Sequence, residues 1–199
     1  MAHSEMQKTL KEDFFCPKAK TAHIRCAKER MNIMSEFRKM RRFRQALSRA
    51  EAEEILRNGT SGVLACLGDG GYPYAVPVSY FYEDGRICFH MAKTGHKADA
   101  LAACDKVSFC VIGQDVIVPE EVTTYFKSVI AFGRAKILAG DEKMAAARKL
   151  ADKYSADFPE AIEKDIRNNF DAMHMVEITV EHLTGKQARE LMKKAEDQA

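Results

Sequence analysis

Tryptophan is absent, prolines number only 5, and no apolar run approaches the roughly 20 residues that a bilayer-spanning helix needs. The N-terminus also lacks the shorter apolar block of a secretion signal, so a cytoplasmic protein without a membrane partner is expected. Excess charge of one sign is missing too. Lys and Arg total 31 against 29 Asp and Glu, and the resulting +2 gives no reason to expect nucleic acid as a main partner. The six cysteines, at 16, 26, 66, 88, 104 and 110, include no CxxC pair. Four of them sit in apolar stretches, where a free thiol behaves as a small hydrophobe, so a reduced interior is expected. Cys16, His23 and Cys26 offer metal-capable side chains, but a closed zinc site wants four ligands at more regular spacing, and no metal is expected.

What is present is enough apolar residue, 46% of 199, to bury one substantial core. Residues 1–39 read as a basic extension. Residues 1–40 hold nine Lys/Arg against five Asp/Glu, and Ile24, Ala27, Met31 and Met34 recur at helical spacing. Met31, Met34 and Met40 each offer an alternative first residue. Residues 40–199 read as the folded domain.

Ser48 with Glu51 forms a capping box, Ile55 and Leu56 supply an apolar face, and Gly59 offers a left-handed stop, which predicts a helix over 49–58. From Gly62 the period becomes strand-like. Apolar runs at 63–67, 74–82, 87–91, 107–111, 128–138 and 175–181, separated in places by Gly68-Asp69-Gly70-Gly71 and Asp84-Gly85, predict an antiparallel meander. In the second run Ala75, Pro77, Ser79 and Phe81 alternate with Val76, Val78, Tyr80 and Tyr82, so the two sets face opposite ways. Pro73 and Pro77 cannot donate to a ladder and place this strand at an edge, an end or a bulge. Asp141 caps a predicted helix bearing Met144, Ala147, Ala151 and Tyr154. Asp157, Pro159 and Glu160 start another that buries Ile162, Ile166 and Phe170. In the last strand Val176, Ile178 and Val180 are expected inward and Glu177, Thr179 and Glu181 outward, before Thr184-Gly185-Lys186 and a short C-terminal helix.

The stretch Gly62 to Lys97 contains VLACLGDGGYPYAVPVSYFYEDGRICFHMAKTGHK. It resembles the pyridoxamine 5′-phosphate oxidase-like superfamily, and most closely its nitroimidazole-resistance (Nim) branch. KVSFCVIG at 106–113, TTYFKSVIAFGRAKIL at 123–138 and HLTGK at 182–186 follow in the same order, so the resemblance spans roughly residues 38–190. It implies a mainly β fold with flanking helices, an antiparallel FMN-binding split β-barrel. It also implies a homodimer with FMN in clefts between subunits and a small-molecule substrate.

FMN presents a dianionic phosphate, a ribityl chain and a planar ring, so its site needs cations, hydroxyls or backbone groups, and a flat apolar wall. Thr94-Gly95-His96-Lys97 leads into a short helical pattern at 98–104, where free N–H groups and Lys97 suit a phosphate. The related oxidases carry an Arg-Lys pair where His96 and Lys97 stand. The resemblance further implies cofactor contacts from Val76, Pro77, Val78, Ser79 and Tyr80, from Phe89, His90 and Met91, and from Lys127 and Ser128. His90 is the candidate catalytic residue, since a histidine's ordinary pKa of about 6.5 lets it hold or release a proton near neutrality. Taken alone it reads as a strand-end histidine bonded to backbone, and His174 and His182 read as structural or exposed.

The activity implied is FMN-dependent reduction of small electron-poor compounds such as nitroimidazoles, with a reduced nicotinamide or another compound as electron donor. Two alternatives stand beside it: a non-catalytic flavin-storing or sensing module, and a haem-binding split barrel with His90 or His96 as axial ligand. Pyridoxamine phosphate oxidation itself is disfavoured. Those enzymes carry a C-terminal Arg/His arrangement for the substrate phosphate, where this chain reads Leu183-Thr184-Gly185-Lys186-Gln187.

Overall fold

A computed structural model describes residues 37–196, with side chains through Met192. The stripe at 24–34 and the Cys16, His23 and Cys26 set lie outside the described residues. Seven strands form one antiparallel sheet: β1 (Ser61–Leu67), β2 (Pro73–Ser79), β3 (Phe81–Glu83), β4 (Arg86–Ala92), β5 (Lys106–Val118), β6 (Thr123–Ile137) and β7 (Met173–Gln187). Among the described residues five α-helices flank it: α1 (Arg49–Asn58), α2 (His96–Ala103), α3 (Gly140–Ser155), α4 (Pro159–Asn169) and α5 (Arg189–Glu196). None of the described helices is long and apolar enough to cross a membrane.

The strand order is β2-β1-β5-β6-β7-β4-β3. Two hairpins, β1–β2 and β3–β4, therefore sit at opposite edges, and the expected simple meander holds only for β5-β6-β7. Proline placement decides one edge. Pro73 and Pro77 lack the N–H that a central strand must donate, and β2 pairs with β1 alone.

One core gathers side chains from both ends of this order. Val78 and Tyr80 from the β2 side meet Ile87, Phe89 and Met91 of β4, together with Phe109, Val111, Val129, Val176 and Ile178. A flat sheet could not bring β2 and β4 to the same interior, so the sheet curls around it as a barrel. Leu56 of α1 and Leu101 of α2 join the same core. Tyr80 is fully buried: its ring meets Phe109 edge-on at 4.9 Å, and its hydroxyl donates to the Leu56 carbonyl at 2.8 Å. A second, smaller core lies outside the barrel wall, where Phe81, Cys88 and Met175 pack under Ala146, Ala147 and Leu150 of α3.

The capping box at Ser48 forms in both directions, with Ser48 N donating to Glu51 at 2.8 Å and Glu51 N to Ser48 at 3.3 Å. The helix ends differently from expectation, because Gly59 has φ −65° and ψ 136°, extended rather than left-handed. Its role is space: a Cβ there would lie 2.5 Å from the Tyr80 hydroxyl. α3 begins one residue before Asp141 and has no side-chain cap, while Pro159 occupies the first turn of α4. Thr184-Gly185-Lys186 does not end β7, which continues to Gln187 because β6 supplies partners as far as Lys127. Glu177, expected outward in solvent, is 6% exposed; α3 covers that side of β7, and Arg86 at 3.7 Å and Lys136 at 3.2 Å neutralise the carboxylate.

Candidate functional site

Pairing registers show which residues share the outer surface of the barrel. Pro77 opposes Val63, Val63 opposes Cys110, Cys110 opposes Ile130, and Ile130 opposes Thr184. A parallel row runs Ala75, Ala65, Ser108, Phe132, His182. Directly opposed residues point to one side of a sheet, so these ten positions form a continuous face turned away from the core. It is mostly small or apolar and partly open, with Val63 39%, Ile130 41% and Phe132 38% exposed.

The face has two different ends. Two residues further along their strands, Ser79, Ser128 and Lys186 bring two hydroxyls and a cation to one end. The Lys186 ammonium lies 4.9 Å from the Phe126 ring centroid. At the other end Phe37 stacks on His182, with centroids 4.5 Å apart and planes 5° apart. At the same end of β2, but on its core side, stands the N-terminus of α2, since His96 stacks on Tyr74 at 4.1 Å. Between Tyr74 and Ser79 the exposed edge of β2 runs about 16 Å, at roughly 3.3 Å per residue, with backbone groups that no second strand pairs.

Gly95 enters α2 at φ 109°, a left-handed conformation that glycine adopts without strain. The first helical N–H groups have no partner within the helix and, with the helix dipole, favour an anion. Lys97 follows, half-buried, with Nζ 5.9 Å from the Phe89 ring centroid. Burial lowers its pKa from the usual lysine range. No carboxylate pairs with it among the described residues. It is a desolvated cation that a phosphate would relieve.

His96 is differently engaged. Its Nε2 accepts from the Asp69 backbone N–H at 3.3 Å and lies 3.8 Å from the Asp69 carboxylate. In this arrangement it ties α2 to the β1–β2 turn and leaves Lys97 with the backbone as the anion donors.

The sequence candidates divide by strand parity. Pro77 and Ser79 are exposed on the outer face, whereas Val78 and Tyr80 are buried and Val76 is half-buried on the core side. Phe89 and Met91, 0% and 3% exposed, likewise face the core. From Val78, Tyr80, Phe89 and Met91 only backbone can reach a ligand. His90 is exposed on β4, on the opposite side from Phe89, and pairs with Met175. Lys127 and Ser128 point to opposite sides of β6: Ser128 joins the outer face, and Lys127 turns toward Glu51 of α1. Lys186, within HLTGK, is not marked by any local sequence signal as a member of this face.

Sequence periodicity marks Tyr154 only as a helix-face residue. Its hydroxyl lies 2.9 Å from both N and O of Tyr80 and donates to the Thr60 carbonyl at 2.6 Å. Lys153 beside it bonds the Gly59 carbonyl at 2.5 Å and sits 4.5 Å from the Tyr80 ring centroid. Together they hold the corner where β2 turns into β3, directly after Ser79.

The sequence matches the family model described as pyridoxamine 5′-phosphate oxidase over residues 48–187. No curated protein sequence matches the chain. Among solved structures it is similar to a candidate 5-nitroimidazole antibiotic resistance protein from Bacteroides thetaiotaomicron, at 18% identity, TM-score 0.59, covering 71% of this chain and 86% of that one. A FAD-binding protein from Mesorhizobium loti is 24% identical, TM-score 0.54, covering 72% and 96%. A FAD and haem binding protein from Mycobacterium smegmatis is 18% identical, TM-score 0.61, covering 73% and 74%. At these identities the likeness is one of fold.

Proposed function

The chain belongs to the pyridoxamine 5′-phosphate oxidase family, and from that premise we propose that it is a flavin-dependent oxidoreductase which holds FMN along the exposed edge of β2. The observation that carries this reading is the half-buried, unpaired Lys97 at the start of α2, beside an edge strand that presents Ala75, Pro77 and Ser79 outward.

The residues present fit such a cofactor. Lys97 and the first N–H groups of α2 meet its phosphate, Ser79 meets a ribityl hydroxyl, and the short side chains of Ala65, Ala75 and Pro77 leave room for a planar ring. When bound, FMN supplies hydride and single-electron transfer, which no amino-acid side chain provides. The protein's part is to orient the ring, exclude water and move protons. His90 has an imidazole open to solvent on β4, and in this reading it gives protons to the reduced substrate.

The same outer face, with Val63, Ile130 and Phe132 partly exposed, suits a second copy of the chain, which would enclose one flavin in each of two seams. The substrate class is a small electron-poor molecule such as a nitroimidazole, with a reduced nicotinamide as electron donor. This rests on the family resemblance and on the partial openness of the face.

The test is spectroscopic and kinetic. Purified protein should release one flavin per chain on denaturation and show no Soret band. It should also consume a nitro compound under reducing conditions, at a rate that His90→Ala lowers at least tenfold without loss of flavin. Bound flavin with no turnover would leave a storage module, and a Soret band without flavin would overturn the reading.

A further inference from the structure

The segment before α1 and the start of α5 enclose a cleft of about 590 Å³ lined by Arg41, Arg42, Arg44 and Arg189, with Phe43 and Gln45 between them. A cavity of this size falls in the range that holds drug-sized ligands. Its charge is one-sided. Among the described residues no acidic side chain lines it, and none of the four guanidiniums forms an ion pair with a described residue. Four like charges gathered without counter-charge repel one another, and a polyanion removes that cost.

Two further observations make the cleft more than a basic patch. Phe43 is 70% exposed, with the Arg44 guanidinium 6.0 Å from its ring centroid, so an aromatic surface is offered beside the cations. The Gln45 carbonyl Oε1 is buried, and it is the single buried side-chain polar atom without a hydrogen-bond partner among the described residues. Such an acceptor costs stability unless a donor meets it. The backbone around it is fixed: Gln45 N donates to Arg42 O at 3.0 Å, Ala46 pairs with Lys186, and Leu47 N donates to Gly185 O at 3.0 Å. Arg41, Arg42 and Arg44 thus sit on or beside a turn anchored to β7, and Arg189 opens α5.

We propose that this cleft binds a nucleotide. The guanidiniums hold its polyphosphate by bidentate charge-assisted bonds, the base stacks on Phe43, and the amide oxygen of Gln45 accepts an N–H or O–H of the ligand. The proposal does not rest on the flavin reading, since none of these residues belongs to the face described above.

Titration calorimetry on the full-length protein at physiological salt tests it, with ATP, NADPH, adenosine, inorganic pyrophosphate and a single-stranded 12-nucleotide DNA as probes. ATP or NADPH should bind saturably, one per chain, and about tenfold more tightly than adenosine or pyrophosphate, each of which lacks one recognised half. Arg42→Gln and Arg189→Gln should each weaken nucleotide binding by about tenfold, while Phe43→Ala should weaken ATP and leave pyrophosphate unchanged. Flavin content and thermal midpoint should stay as in the parent.

Three results would overturn the proposal. The first is no saturable nucleotide binding. The second is tighter, steeply salt-dependent binding of the DNA, which would mark a nucleic-acid surface. The third is loss of flavin in step with the arginine substitutions, which would make the cleft part of the flavin site.

Discussion

The hydroxyl of Tyr154 accepts from the Tyr80 N–H at 2.9 Å and shares its own proton between the carbonyls of Thr60 at 2.6 Å and Tyr80 at 2.9 Å, although Tyr154 and Tyr80 are 74 positions apart. Tyr80 is the hinge between β2 and β3, and its N–H and C=O would otherwise lack a ladder partner. Tyr154→Phe keeps the ring and removes the grip. It should cost about 1–3 kcal/mol, the usual penalty for stranding buried polar groups, and should loosen the β2 edge. Urea unfolding measures the first effect. Hydrogen exchange at Tyr80 measures the second, and should quicken more there than in β5.

The Cys88 thiol is pushed up to about 12, chiefly by burial and further by Glu177. An unfolded thiol titrates near 8.5 to 9. Between those values the unfolded chain loses a proton that the folded chain keeps, so this group's contribution to stability is complete below about pH 9 and is lost as pH rises toward 12. Urea unfolding of the parent and of Cys88→Ala between pH 8 and 10.5 should show the parent losing stability more steeply, by at most about 1.4 kcal/mol per pH unit. Parallel curves would contradict it.

Val122 occupies the tip of the β5–β6 hairpin in a left-handed conformation, φ 52° and ψ 44°, and is 94% exposed. A β-branched residue pays for this geometry and recovers nothing by packing. Val122→Asn should therefore stabilise the protein by about 1 kcal/mol, seen as a raised urea midpoint with unchanged slope.

Glu177 is the one buried charged residue among those described, paired with Arg86 and Lys136, whose own side chains are half exposed. Glu177→Gln should cost about 1–3 kcal/mol because the two cations lose their partner at the edge of α3. Glu177→Leu should cost less than Glu177→Gln, since Leu strands no polar group and the cations can turn to water. The order of the two urea midpoints checks this.

These elements also show what could be read in advance. The capping box at Ser48, the prolines that set β2 at the edge and the parity of residues 75–82 were legible, because each is a local rule acting on adjacent residues. The strand pattern at 107–111 and 128–138 missed the outer arm of the hairpin. Gln114, Asp115 and Thr123 to Thr124 break the apolar alternation, and those residues are strand only because β5 and β6 pair with each other there. Glu177 and Tyr154 were illegible for a different reason. The burial of one and the grip of the other depend on where α3 docks, which no local pattern encodes. At the candidate site, alternation along β4 and β6 separated His90 from Phe89 and Ser128 from Lys127, while Lys186 joined the face through the long reach of β7.

Lys97 is the half-buried cation to which the proposed flavin site assigns the phosphate, so the most direct measurement is flavin stoichiometry and folding stability of Lys97→Met beside the parent. Removing a half-buried, unpaired ammonium should leave the apoprotein's thermal midpoint unchanged or higher, while bound FMN falls at least tenfold in affinity. Full flavin retention in Lys97→Met, with the fold intact, would contradict the account.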